Sequence, residues 1–175
     1  MTTPEELKKY VRDVPDYPQK GIVFRDITPL LGDRKIFREV VELMSKSWQA
    51  EPPDLVAGIE ARGFIPGSAI SVRLDSGFVP IRKTGKLPWM TVMESYDLEY
   101  GTDQLEVHSD AVQPGQKVLI VDDVLATGGT ASAAVRLMRK LGADVIGVQV
   151  LIELAYLGGR QKLQDVRLAS EIVYE

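Results

Sequence analysis

Two adjacent carboxylates, Asp122 and Asp123, stand at the end of the apolar run Val118-Leu119-Ile120-Val121. They are followed by Val124, Leu125, Ala126, Thr127, Gly128, Gly129 and Thr130, and then at once by a helical pattern. The run reads as a strand buried on both faces, so it delivers both acids to the carboxyl edge of a sheet, where open α/β sheets bind ligands. Behind them Ala126, Thr127, Gly128, Gly129 and Thr130 offer hydroxyls and unobstructed backbone N–H groups at a helix N-terminus, an arrangement suited to a phosphate. The acids cannot face that same phosphate, so their role is to bind sugar hydroxyls or a cation. A plain strand-to-helix turn with solvated acids is the alternative, and it leaves the agreement of residue types over so many positions without a cause. Neither GxxxxGK followed by Ser or Thr nor GxGxxG occurs, which removes support for ordinary nucleotide-triphosphatase and dinucleotide readings.

A second set of charged residues lies at another predicted strand end. Glu60-Ala61-Arg62-Gly63 follows Leu55-Val56-Ala57-Gly58-Ile59, and Arg62 with nearby N–H groups suits an anion such as pyrophosphate. Arg82, Lys83 and Lys86 concentrate positive charge in a long stretch with no periodicity. Taken alone, Arg62 reads equally well as an exposed strand-end residue in a surface pair. The charge of Arg82, Lys83 and Lys86 beside the predicted phosphate site of an acidic protein favours anion binding over a solvated basic loop. His108 is assigned to the solvent face of a strand, and Trp48 and Trp89 to no chemistry.

The elements that must hold these residues alternate. Short apolar runs at 55–59, 78–81, 118–121 and 145–152 read as strands, and helical patterns at 64–74 and 131–141 lie between them, the second ending at Gly142. The alternation implies α/β, a Rossmann-like parallel sheet of about five strands flanked by helices, with right-handed crossovers. Thr3, Pro4 and Glu6 predict a short capped first helix. Residues 13–29, holding three prolines around Ile22-Val23-Phe24, predict an extended segment lying over the domain. Asp33 caps a helix whose Phe37, Val40, Val41, Met44 and Trp48 form one face against the sheet. Residues 1–175 are read as one domain, with about 1–32 as helix and hood and about 82–101 as a flexible lid loop.

Composition narrows the function classes. The chain has 175 residues, no Cys, one His and no Asn, so disulfide frameworks, Cys/His zinc sites and cysteine nucleophiles are excluded. A net charge of -4 is a poor footprint for nucleic acid. No apolar run approaches the ~20 residues of a bilayer span, and the polar N-terminus carries no export pattern, so a cytoplasmic location is expected.

The strand, the acid pair and Ala126-Thr127-Gly128-Gly129-Thr130 resemble the phosphoribosyl-pyrophosphate (PRPP) loop of the type I phosphoribosyltransferase family. Residues 21–27 (GIVFRDI), 60–64 (EARGF), 82–88 (RKTGKLP) and 96–101 (YDLEYG) are similar to its adenine-specific members, and the resemblance spans almost the whole chain. It implies the type I phosphoribosyltransferase fold and transfer of a 5-phosphoribosyl group from PRPP to adenine, giving AMP and pyrophosphate in purine salvage. It also implies Mg2+ as cofactor and a cytoplasmic homodimer. It assigns Asp122, Asp123 and residues 126–130 to PRPP and AMP, and Arg62, Arg82, Lys83 and Lys86 to pyrophosphate. Backbone at Val23 and Arg25 would read the adenine edge while Phe24 and Val124 sandwich the ring. Glu99 would be the acid–base group, with Tyr100 beside it in the lid. No residue is assigned as a direct metal ligand; the magnesium would sit mainly on substrate phosphates and waters, with Asp122 the one side chain that could join them. A non-proline cis peptide is implied between Glu60 and Ala61. Pro66 and the bulky Trp89-Met90 depart from the family pattern. A transferase for another purine base, or a non-catalytic PRPP-binding regulator, remain open as alternatives.

Overall fold

The computed structural model describes residues 3–97 and 102–175. Its centre is a seven-stranded sheet in the order β5-β6-β4-β3-β7-β8-β9. The strands are β3 (Leu55–Ile59), β4 (Gly77–Lys83), β5 (Thr91–Asp97), β6 (Thr102–His108), β7 (Lys117–Leu125), β8 (Asp144–Leu154) and β9 (Leu168–Tyr174). Strands β4, β3, β7, β8 and β9 run parallel, while β6 and β5 are antiparallel additions beyond β4.

Helices cover both faces of the parallel part, which is why its strands are continuous apolar runs rather than alternating ones. Along β7, Val118 and Ile120 turn toward α5 (Gly129–Lys140), whereas Leu119 and Val121 turn the other way. On that second face lie α3 (Arg34–Lys46), α4 (Phe64–Arg73) and the N-terminal elements. Asp33 caps α3 by accepting hydrogen bonds from the N–H groups of Lys35 and Ile36. Val40, Met44 and Trp48 are buried as the periodicity predicts, Ile36 is buried with them, and Phe37 and Val41 are only partly covered.

The N-terminal segment begins with α1 (Pro4–Lys8), whose Thr3 and Glu6 form the capping box expected from the sequence. Strands β1 (Arg12–Pro15) and β2 (Val23–Asp26) then pair as a separate two-stranded sheet, and α2 (Thr28–Gly32) leads into α3. Strand β2 carries the Val23-Phe24-Arg25 piece.

Three features differ from expectation. The sheet has seven strands, not about five, because β5 and β9 carry too mixed a pattern to stand out. The aperiodic stretch after Arg82 contains a strand, Thr91–Asp97, fixed by its register with β6 rather than by its own composition. His108 is half-buried instead of solvent-facing, and its Nε2 has no hydrogen-bond partner among the described residues.

The chain leaves β3 by α4 toward β4 on one side, while β7 lies on the other side and passes through α5 to β8. The carboxyl ends of β3 and β7 therefore flank the point where strand order reverses, the place where open α/β sheets form a ligand crevice.

Candidate active site

Strand β7 brings Asp122 and Asp123 to this crevice, and Asp123 is 5% exposed. Burial raises the Asp122 carboxyl well above the ordinary aspartate range, and the charge of Asp123 pushes the same way. Burial also raises Asp123, opposed chiefly by the positive charge of Arg62. Part of Asp122 still reaches solvent, so its carboxyl is crowded by protein atoms yet open on one side to a ligand.

Beyond the acids the backbone turns at Gly128, whose φ of +78° only glycine adopts without strain, and enters α5. A recess of about 80 Å3 lies over this turn, lined by Asp122 and residues 124–131. Its walls are the N–H groups and hydroxyls of a helix N-terminus, chemistry that holds a phosphate. Asp122, Ala126, Thr127, Gly128, Gly129 and Thr130 are thus brought together as the sequence predicts. Val124, partly buried, completes the same edge.

The loop after β3 packs against this strand end. A Cβ on Gly63 would stand 2.8 Å from Asp122 Oδ1 and 2.5 Å from the Ile59 carbonyl, so the loop sits against the acids only because residue 63 has no side chain. The Glu60–Ala61 peptide is cis, as the resemblance implies. Arg62 extends from the loop with Nε 2.7 Å from Asp123 Oδ2. Its guanidinium lies 4.4 Å over the Phe24 ring, and Nη1 donates to the Arg25 carbonyl at 3.2 Å. Arg25 itself pairs with Asp13 and stacks 3.9 Å from the Tyr174 ring. Phe24 is half-buried and meets Tyr17 edge-on at 5.2 Å, while Val23 is exposed.

The cations grouped in the sequence do not converge on one point. Arg82 and Lys86 both engage Glu60, which also accepts the Lys83 backbone N–H at 3.0 Å. The Lys83 ammonium turns away to Asp103 and the Tyr96 hydroxyl. Arg62 faces the acid pair instead. Glu99 and Tyr100 lie outside the described residues.

Sequence reasoning missed two carboxylates. Glu60 is the hub of the cation cluster: burial pushes its carboxyl up, but hydrogen bonds from Lys86, the Lys83 N–H and Arg82 outweigh this and hold it at about 2. Glu106, 3% exposed, accepts the N–H groups of Lys86 and Leu87, each at 3.0 Å, and so anchors the turn that carries Lys86. The only sequence signal for Glu106 was a charged residue interrupting the apolar Leu105 and Val107.

A family model of the phosphoribosyl transferase domain matches residues 28–172. Among relatives, the chain is 56% identical to the adenine phosphoribosyltransferase of Thermotoga neapolitana, over 97% of this chain and 99% of that one. The crystal structure of adenine phosphoribosyltransferase from Thermoanaerobacter pseudethanolicus superposes with a TM-score of 0.96 at 49% identity, covering 98% of this chain and 100% of that one. The Saccharomyces cerevisiae enzyme, solved with an imino-altritol bisphosphate and adenine, matches with a TM-score of 0.91 at 34% identity over 97% and 98% of the two chains. Matched almost end to end in sequence and in fold, the chain belongs to the adenine phosphoribosyltransferase family.

Proposed function

We propose that the protein transfers the 5-phosphoribosyl group of PRPP to adenine, giving AMP and pyrophosphate and so salvaging a free purine base. The observation that carries this reading is the bridge made by Arg62: one guanidinium touches the strand that presents Phe24 and Arg25 and the acid that ends β7. This contact supports reading the hood strand as the base site and the end of β7 as the sugar-phosphate site, adjacent as a glycosyl transfer requires.

Each group has a duty in that reaction. Asp122 and Asp123 hold the ribose hydroxyls, and residues 126–130 hold the 5-phosphate. Backbone at Val23 and Arg25 reads the edge of adenine, with Phe24 and Val124 on its faces; a carbonyl opposite the exocyclic amine rejects a 6-oxo purine, whose oxygen would meet another acceptor. Arg62, Arg82, Lys83 and Lys86 supply positive charge for the departing pyrophosphate. Glu99 accepts the proton that the attacking ring nitrogen loses, with Tyr100 as its neighbour in that step.

Among the described residues no group of three or more His, Cys, Asp or Glu side chains could hold a metal ion. The acid pair does fit a cation that takes most of its oxygens elsewhere, since Asp122 is partly open beside the recess. Asp122 would be the side chain at hand to help hold Mg2+, which would supply charge neutralisation for the leaving pyrophosphate. Activity as a homodimer in the cytoplasm completes the proposal. No described helix is long and apolar enough to cross a membrane.

The test is one mixture of PRPP, Mg2+, adenine, hypoxanthine and guanine. AMP is the expected product. IMP or GMP in excess would move the assignment to another base, and PRPP binding without any nucleotide would make the protein a regulator.

A further inference from the structure

Beyond β8 the chain passes through two 3-10 turns, Ala155–Leu157 and Gly159–Leu163, joined at Gly158. This segment lies against the back of the phosphate loop. A Cβ built on Gly159 would stand 2.2 Å from the Ala126 carbonyl oxygen and 2.9 Å from the Gly128 nitrogen. Reciprocally, a Cβ on Gly128 would stand 2.4 Å from the Gly159 carbonyl oxygen. The two backbones meet with no side chain between them, at a separation that only a pair of glycines permits.

We propose that Gly159 is a positioning residue for the phosphate loop, its bare backbone being the wall that fixes residues 126–128 in their anion-binding conformation. The proposal rests on the reading of that loop as the site for the 5-phosphate of PRPP.

The wall is the stiffer partner. Arg160 next to it is held by Glu153 of β8 through Nε–Oε1 at 2.8 Å and Nη2–Oε2 at 2.5 Å, and Ser170 of β9 donates to the same carboxylate at 2.7 Å. Leu163, at the end of the second turn, is buried in the same core cluster as Ala131 and Val135 of α5. The phosphate loop has a recess on its other side and so has room to move. An added methyl at 159 is therefore relieved by displacement of the loop, not of the wall. Gly159 is also outside the positive-φ region, so alanine carries no backbone penalty of its own there. Gly158 supplies the converse case: its φ is +67°, yet a Cβ there meets nothing closer than 3.7 Å, at the Gln161 side chain.

The paired variants Gly159→Ala and Gly158→Ala separate positioning from general stability. Gly159→Ala is expected to raise KM for PRPP ~10-fold and to weaken ribose 5-phosphate binding by calorimetry to a similar degree. Its kcat and its KM for adenine should stay within ~3-fold, because the loop grips the phosphate before, during and after transfer. Gly158→Ala is expected to lower Tm while leaving ribose 5-phosphate affinity within ~2-fold. If Gly159→Ala does not accumulate, Arg160→Gln loosens the same wall and should raise KM for PRPP ~3-fold. Wild-type phosphate affinity in Gly159→Ala, or equal loss in both glycine variants, overturns the proposal. Wild-type protein that binds ribose 5-phosphate nowhere near this loop, shown by unchanged affinity in Thr127→Ala and Thr130→Ala, overturns the reading of the site beneath it.

Discussion

Arg62 Nε and Asp123 Oδ2 stand 2.7 Å apart, close enough to pair their charges but without the alignment of a hydrogen bond, so the buried oxygen has an ionic neighbour and no donor among the described residues. The pair joins the loop after β3 to the end of β7. It also spans the two halves of the crevice, because the same guanidinium rests on Phe24.

Removing that guanidinium should cost stability in a pH-dependent way. Arg62→Ala leaves the carboxyl of Asp123 buried without its counter-charge, a loss of ~1–3 kcal/mol given that Arg62 is itself a third exposed. Burial already raises the folded pKa of Asp123, and Arg62 opposes that rise, so the variant raises it further. A carboxyl with a folded pKa above its unfolded value penalises the native state at high pH and ceases to do so once protonated. The deficit measured by urea unfolding should therefore be larger at pH 8 than at pH 5. Equal deficits at both would show that the charge of Asp123 is not what Arg62 neutralises.

Glu60 has the opposite sign. Its folded pKa of about 2 lies below the ordinary glutamate value of 4.5. The stability it contributes is present above the unfolded value and is lost as pH falls toward about 2. A shift of this size corresponds to ~3 kcal/mol at neutral pH, reduced to ~2 by solvent at the half-exposed Lys86. Glu60→Gln should thus be less stable than wild type at pH 6, with the gap closing by pH 2.5. A constant gap in urea midpoints across that range would assign the loss to packing instead.

The proposed reaction assigns its proton-transfer step to Glu99. Glu99→Gln keeps the size of the side chain and its hydrogen bonding but cannot accept a proton, so single-turnover AMP formation should slow ~100-fold or more with PRPP affinity retained. A wild-type single-turnover rate would leave positioning and electrostatics as the whole of catalysis.

Much of this arrangement was legible in the chain because its signals are local. The run from Val118 to Val121 reads as a buried strand because α5 covers one of its faces and α3 and α4 the other. The glycines and threonines after it could serve only a turn into a helix. Strand β5 was not legible, since Val92, Glu94 and Tyr96 owe their placement to Val107, Leu105 and Asp103 across the hairpin. The spread of the cations was hidden for the same reason: Lys83 finds Asp103, and Arg82 finds Glu60, 20 and 22 residues away. Gly159 left no pattern at all, because its role lies in an atom it lacks.

Asp122 and Asp123 are the strongest case for acids kept at a cost to the fold. Burial is the first cause of the raised pKa at both, and each sits in a sheet edge that an apolar side chain would fill more favourably. Asp123→Ala removes one buried carboxyl and also the charge that helps raise Asp122, so the variant should protonate less readily at Asp122. Against this, Arg62 loses its ionic partner, but it remains a third exposed, stacked on Phe24 and bonded to the Arg25 carbonyl. The two effects oppose, and Tm should stay near or above that of wild type at neutral pH. PRPP affinity should behave differently, because the charge-assisted hydrogen bond that Asp123 takes from a ribose hydroxyl would be lost, worth ~1.5–3 kcal/mol before water replaces it. A fall of ~10-fold or more in PRPP affinity by titration calorimetry is expected, with AMP weakened in parallel since it shares the ribose. Unchanged PRPP affinity in a folded Asp123→Ala protein would remove the acid pair from the substrate site and leave their burial without a function.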